Sequence, residues 1–156
     1  MTSFIDIYNQ VLVVVEDYRI NNLYTADYNS FLTYMRGLLT VGIPEFTGCL
    51  QSLDYTTQTE TDTNGNQTTA YYFTNDLTAK EQSILAKIVV AKWWDEHIQN
   101  VVVYQSKIPN QNFKQMEISE GLKQKSVYKD KLYENIAYDI NNYQLDNMSQ
   151  LPFFGG

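Results

Sequence analysis

Between Leu77 and Val103 the apolar positions are dense enough to run most of the way round a helix. At about 100° per residue, Ile84, Ile88, Ala91, Ile98 and Val102 share one face, with Leu85, Val89 and Trp93 on its flank. Val90 and Trp94 carry the apolar surface further, leaving narrow polar strips at Lys87 and at Lys92 and Glu96. Thr78-x-x-Glu81 opens the segment as a capping box, in which hydroxyl and carboxylate satisfy free backbone N–H groups reciprocally. A helix this apolar needs several partners, from its own chain or a neighbouring one. The β-branched run Val101-Val102-Val103 before Tyr104 is expected to end the helix or leave it as an extended strand.

Around this core helix the pattern places three more helices. Phe4, Ile7, Tyr8, Val11, Val14, Val15 and Tyr18 predict a helix from about Ser3 to Ile20, broken at Asn21-Asn22. A second starts near Thr25, with Tyr28, Phe31, Leu32, Met35, Leu38 and Leu39 on one stripe, and stops before Gly42-Ile43-Pro44. A polar connector, Gln105 to Gln115, leads to a final helix from about Met116 to Tyr143. Residues 145–156 form an extended tail ending in the aromatic pair Phe153-Phe154.

Residues 53–74 break the helical pattern. Thr alternates with Gln58, Glu60 and Asp62 up to Asn64-Gly65, and Tyr71-Tyr72-Phe73 follow on the return. Asn-Gly supplies the positive φ angles of a tight turn, and Thr and Tyr favour strands. We read a protruding two-stranded hairpin of roughly eight to ten residues per strand, about 30 Å long. The outer half has almost no large apolar side chain, so an arm ordered by contact with a partner is expected. The fold is thus a mainly α single domain, residues 1–156: about four helices in a bundle-like core, with a two-stranded β-hairpin arm inserted at 53–74.

Composition narrows the function. The formal net charge of −7 argues against a sequence-independent grip on DNA or RNA, which relies on Lys and Arg. It leaves room for an acidic wall that nucleic acid slides past. One cysteine, Cys49, forms no internal disulfide and suits a reducing compartment. No signal peptide or membrane span is recognised, since Asp6, Glu16 and Asp17 bracket the apolar run Val11–Val15.

Candidate chemistry is sparse. The single histidine, His97, has no second histidine to complete a metal pair. Cys49 reads as a small buried thiol, and Asp95 as a partly buried carboxylate paired with Lys92 one turn back. No phosphate-binding Gly loop, dinucleotide fingerprint, His-Glu-x-x-His or nucleophile elbow occurs. The expectation is a protein without catalytic, cofactor or metal residues. The candidate partner-binding residues are Tyr55, Thr57, Thr59, Thr61, Asn64, Gly65, Thr69, Tyr71, Tyr72 and Phe73 on the arm, Trp93 and Trp94 on the core helix, and Phe153 and Phe154 in the tail.

One further pattern bears on identity. Ile43-Pro44-x-Phe46-x-x-Cys49-x-x-x-Leu53-x-Tyr55 is followed by Tyr72-Phe73-x-x-Asp76-Leu77-x-x-x-Glu81-x-x-Ile84-Leu85-Ala86. With Trp93 or Trp94, Ile98, Asn112-Phe113-Lys114-Gln115 and Leu122-Lys123, this resembles the small head–tail connector (neck or adaptor) proteins of tailed bacteriophages. The likeness covers about Ile43 to Lys123, and the Thr-rich tip is longer than the short acidic loop of that family. It implies a helical protomer in a homo-oligomeric ring of about twelve copies, joining the portal protein to the tail or to further neck proteins. DNA would pass through the ring without specific binding, and the ring would assemble in the host bacterial cytoplasm and remain in the virion. The competing expectation is a small cytoplasmic regulator that engages one protein through the hairpin and its aromatic surfaces.

Overall fold

A computed structural model describes the backbone of residues 1–106 and 112–150, and the side chains of 1–102 and 120–150. Those residues are mainly helical: β1 (Thr2–Ser3), α1 (Phe4–Val14), α2 (Tyr18–Ala26), α3 (Tyr28–Gly42), a 3-10 turn (Ile43–Glu45), β2 (Tyr55–Thr61), β3 (Gln67–Phe73), α4 (Ala79–Ser106) and α5 (Asn112–Asp146). A last 3-10 turn spans Met148–Gln150.

The core helix forms as its pattern predicts. Thr78 Oγ1 accepts from Glu81 N at 3.3 Å, and Glu81 Oε2 accepts from Thr78 N at 2.7 Å. From Ile84 to Ala91 every side chain but Lys87 is buried. The covers are α1, α3 and α5. Gly42, where α3 ends, lets those helices close up, because a Cβ there would stand 2.6 Å from Ile88 Cγ2. Helix α4 runs through Val101-Val102-Val103 to Ser106, so the expected end or strand at that run is wrong. A continuous i→i−4 ladder outweighs the weak β-branched bias there.

The N-terminal third also differs from expectation. The helix read as one from Ser3 to Ile20 is two, and the break falls at residues 15–17 rather than at Asn21-Asn22, which lie inside α2. Asp17 causes it: its carboxylate caps α2 by accepting from Arg19 N at 2.8 Å and also accepts from Trp93 Nε1 at 3.0 Å. Asp27 repeats the device at Tyr28, accepting from Ser30 N and Ser30 Oγ, and these bonds hold its carboxyl below the usual range. Five helices therefore replace the expected four among the described residues. Leu145 and Asp146 belong to α5 and Met148–Gln150 form a 3-10 turn, so the tail expected to be extended from 145 is not so over these residues. Its remainder, with Phe153 and Phe154, lies outside the described residues.

The arm exists, but within a three-stranded antiparallel sheet in the order β1-β3-β2. Thr2 and Ser3 pair with Phe73 and Tyr72 before Ser3 and Asp6 form the capping box that turns the chain into α1. Strands β2 and β3 pair without a bulge from Tyr55↔Phe73 to Thr61↔Gln67. At seven residues each they span about 23 Å, shorter than expected. Residues 62–66 form a loop organised by Asp62, whose carboxylate accepts from Asn64 N and Asn66 N, each at 2.8 Å. Gly65 supplies the positive φ, +84°, that this loop needs.

Four tyrosine hydroxyls inside the fold give it an alkaline limit. Tyr8, Tyr34, Tyr133 and Tyr143 are each held protonated above the ordinary range, first by burial. The last three also donate to Glu96, Asp95 and Glu81. Unfolded tyrosines ionise near pH 10 while these stay neutral, so stability is intact below that pH and falls above it. Each contributes up to about 1.4 kcal/mol per pH unit. The Cys49 thiol, pushed up to about 11 by burial, adds a smaller loss that starts near about pH 9. Thermal midpoints should therefore begin to fall there and drop steeply beyond about pH 10, with the phenolate absorbance of these four tyrosines appearing only at unfolding.

Candidate partner-binding surface

The arm is anchored at its base and bare beyond it. Phe4 is 1% exposed and meets Phe73 at 4.7 Å, Tyr55 at 5.2 Å and Tyr71 at 5.8 Å between ring centroids. Phe73 is wholly buried, so its expected role in binding a partner is wrong; it ties the arm to α1. Tyr71 is half-buried beneath the Arg36 guanidinium, which sits 4.5 Å from the ring centroid. Tyr55, at 44% exposure, is the aromatic residue of the base left most open.

Outward from there the chemistry is polar. Every residue of β2 is exposed, including Thr57, Thr59 and Thr61, and Thr69, Asn64 and Gly65 are exposed around the tip. Tyr72 donates its hydroxyl to Glu60, which raises the phenol's pKa and ties the outer face of the two strands. Backbone and side-chain N–H groups of Asn66, with Asn64 and Gly65, lower the Asp62 carboxyl and keep it ionised. The outer edge of β2 carries no Pro, Lys or bulge over its seven residues, the devices by which free strand edges are usually blunted.

Between the arm and the helices lies a cleft of about 510 Å³ that the sequence did not reveal. Phe4, Tyr8, Tyr28, Leu32 and Arg36 line its helical side, and the consecutive residues Gln67 to Tyr71 of β3 line the other. It follows β3 where β1 has already turned away, since β1 pairs only with Phe73 and Tyr72.

Trp93 and Trp94 make a second surface. Trp93 bonds to Asp17 and stacks on His97 at 5.2 Å, and Trp94 packs against Trp93 at 5.0 Å and Tyr128 at 5.2 Å. Both are half-buried, and their partners lie at the α2 cap, on α4 and on α5 rather than on the arm. The tryptophans chiefly brace helices, and the exposed apolar residues nearby are Val127 and Tyr128.

Reactive candidates are otherwise occupied. The expected Lys92–Asp95 pair does not form: Lys92 pairs with Glu45, while Asp95 accepts from Tyr133 Oη at 2.5 Å and pairs with Lys129 at 3.6 Å. Burial, and then the Glu81 carboxylate, push the Cys49 thiol up to about 11, so it stays protonated near neutrality. Among the described residues no group of three or more His, Cys, Asp or Glu could hold a metal ion. No helix there is long and apolar enough to cross a membrane.

Comparison of the chain with protein-family models, with curated proteins and with solved structures finds no match in any of the three.

Proposed function

We propose that the chain is a structural subunit of a head–tail connector ring in a tailed bacteriophage, lining the passage through which DNA leaves the head. Support comes chiefly from the arm: a seven-residue strand wholly exposed and unblunted at its edge, on a base of buried aromatic rings. Such an edge invites pairing with another chain, and a protein that leaves it bare while clamping its base is suited to an assembly that covers it. The resemblance over Ile43 to Lys123 supports a ring of copies, with the portal protein above and tail or further neck proteins below. The net charge of −7 suits a wall that does not hold DNA.

Replacing 57–69 by a tight Asn-Gly turn tests this reading. The buried base remains, so the thermal midpoint should shift by no more than a few degrees, while ring closure or attachment of the neighbouring virion component fails. Hydrogen exchange should show the distal arm gaining protection on assembly. Normal assembly of the shortened chain would remove the arm from the account.

The cleft beside β3 favours a second reading, a regulator that binds one extended peptide as an added strand on the Gln67–Tyr71 edge. A regulator stays a monomer or dimer at every concentration, and a connector subunit does not.

A further inference from the structure

Charge is distributed unevenly between the arm and α5. The arm, 53–74, holds Asp54, Glu60 and Asp62 and no Lys or Arg. On α5, Lys123, Lys125, Lys129 and Lys131 follow within less than three turns, with Asp130 the one acid among them. Lys129 is engaged by Asp95 at 3.6 Å, and Lys125 Nζ stands 3.3 Å from His97 Nε2. Lys123 and Lys131 are exposed, and neither makes a salt bridge to another described residue.

The length of α4 keeps these two surfaces apart within one copy. The arm packs on α1 and returns at Phe73 to the start of α4 at Ala79, whereas Lys129 and Lys125 stand at Asp95 and His97, roughly 25 Å further along that helix. The surfaces are opposite in sign, and each repels its own kind, so a twofold contact of arm on arm or α5 on α5 is disfavoured. A head-to-tail contact uses each surface once per copy, and such a contact closes into a ring when its rotation permits.

We infer that the acidic arm of one copy docks on the Lys123–Lys131 stretch of α5 in the next copy, and that this contact sets the direction of assembly. The inference rests on the ring reading and specifies which of its surfaces meet. Exposed charge pairs act mainly through steering and specificity, so the contact is sensitive to salt.

The test is a charge exchange in the full-length chain, read by sedimentation at about 50 mM and about 500 mM salt. D54K/E60K reverses the arm and K123E/K131E reverses α5; all four side chains are exposed, and thermal melting confirms that each variant folds. Wild type should self-associate at the lower salt and weaken at least tenfold at the higher. Each variant alone should remain monomeric, whereas the two mixed should assemble with alternating copies. Variants that assemble like wild type would overturn the contact and leave the ring reading standing. A wild-type chain that is monomeric at the lower salt, or that there binds a DNA duplex through Lys123 and Lys131, would also overturn it, the latter by assigning the lysines to nucleic acid.

Discussion

Replacing Phe4 by alanine should lower stability by about 3–5 kcal/mol, the usual cost of deleting a fully buried phenylalanine. For a chain of this length that is a fall in thermal midpoint of roughly 10 °C. Phe4 is the first residue of α1, and its ring is the contact shared by Tyr8, Tyr55, Tyr71 and Phe73. Deleting it opens a cavity where the sheet meets the helices and leaves β1 and β3 weakly held. The damage should be local as well as global: exchange protection at Tyr55 and Tyr71 to Phe73 should drop below that of α4. Phe4→Leu keeps most of the volume and should recover about half of the loss. A Phe4→Ala chain melting within a degree or two of wild type would mean that the arm is not clamped by this cluster.

Glu81→Ala should cost about 2–4 kcal/mol, far more than the loss of an ordinary surface cap. Glu81 is 1% exposed. One carboxylate oxygen accepts from Thr78 N at 2.7 Å; the other accepts from Tyr143 Oη at 2.5 Å and stands 3.7 Å from Cys49 Sγ. Tyr143 Oη in turn accepts from Leu50 N at 3.0 Å. One side chain thus joins the start of α4, the end of α5 and the irregular segment between the 3-10 turn and β2. Alanine takes the acceptor from a part-buried N–H and from a buried phenol hydroxyl and adds a cavity. Tyr143→Phe should cost less, about 1–2 kcal/mol, because it removes one hydroxyl while leaving the cap. Urea unfolding of wild type, both single variants and the double variant measures the coupling, which should be favourable by at least about 0.5 kcal/mol. Strict additivity would mean that cap and phenol act separately.

Local signals proved the most legible in the sequence. The capping box at Thr78, the all-round apolarity of α4 and the strand character of 55–73 each arise from neighbouring residues and appear where expected. Legibility failed where a distant partner decides. Asp17 looks like a surface charge in the chain; in the fold it divides two helices because Trp93, far along the sequence, reaches it. Strand β1 is two residues long and exists only through its pairing with β3. Phe73 alternates with Tyr72 in a run that reads as uniformly available, yet the pleat turns it wholly inward. Arg36 and Phe4 shape the cleft from elements remote in sequence, and no spacing rule links them to Gln67–Tyr71. The loop was the exception that could have been read further, since Asp62-x-Asn64-Gly65 has the Asx-turn pattern that shortens the strands.

Ring formation is tested most directly by the mass of the chain at high concentration, alone and with a portal protein, by sedimentation and native mass spectrometry. A connector subunit should give a discrete closed assembly at a high multiple of the 18.1 kDa protomer, absent when the arm is shortened. A chain that stays monomeric or dimeric under every condition, including in the presence of portal protein, would contradict the ring reading.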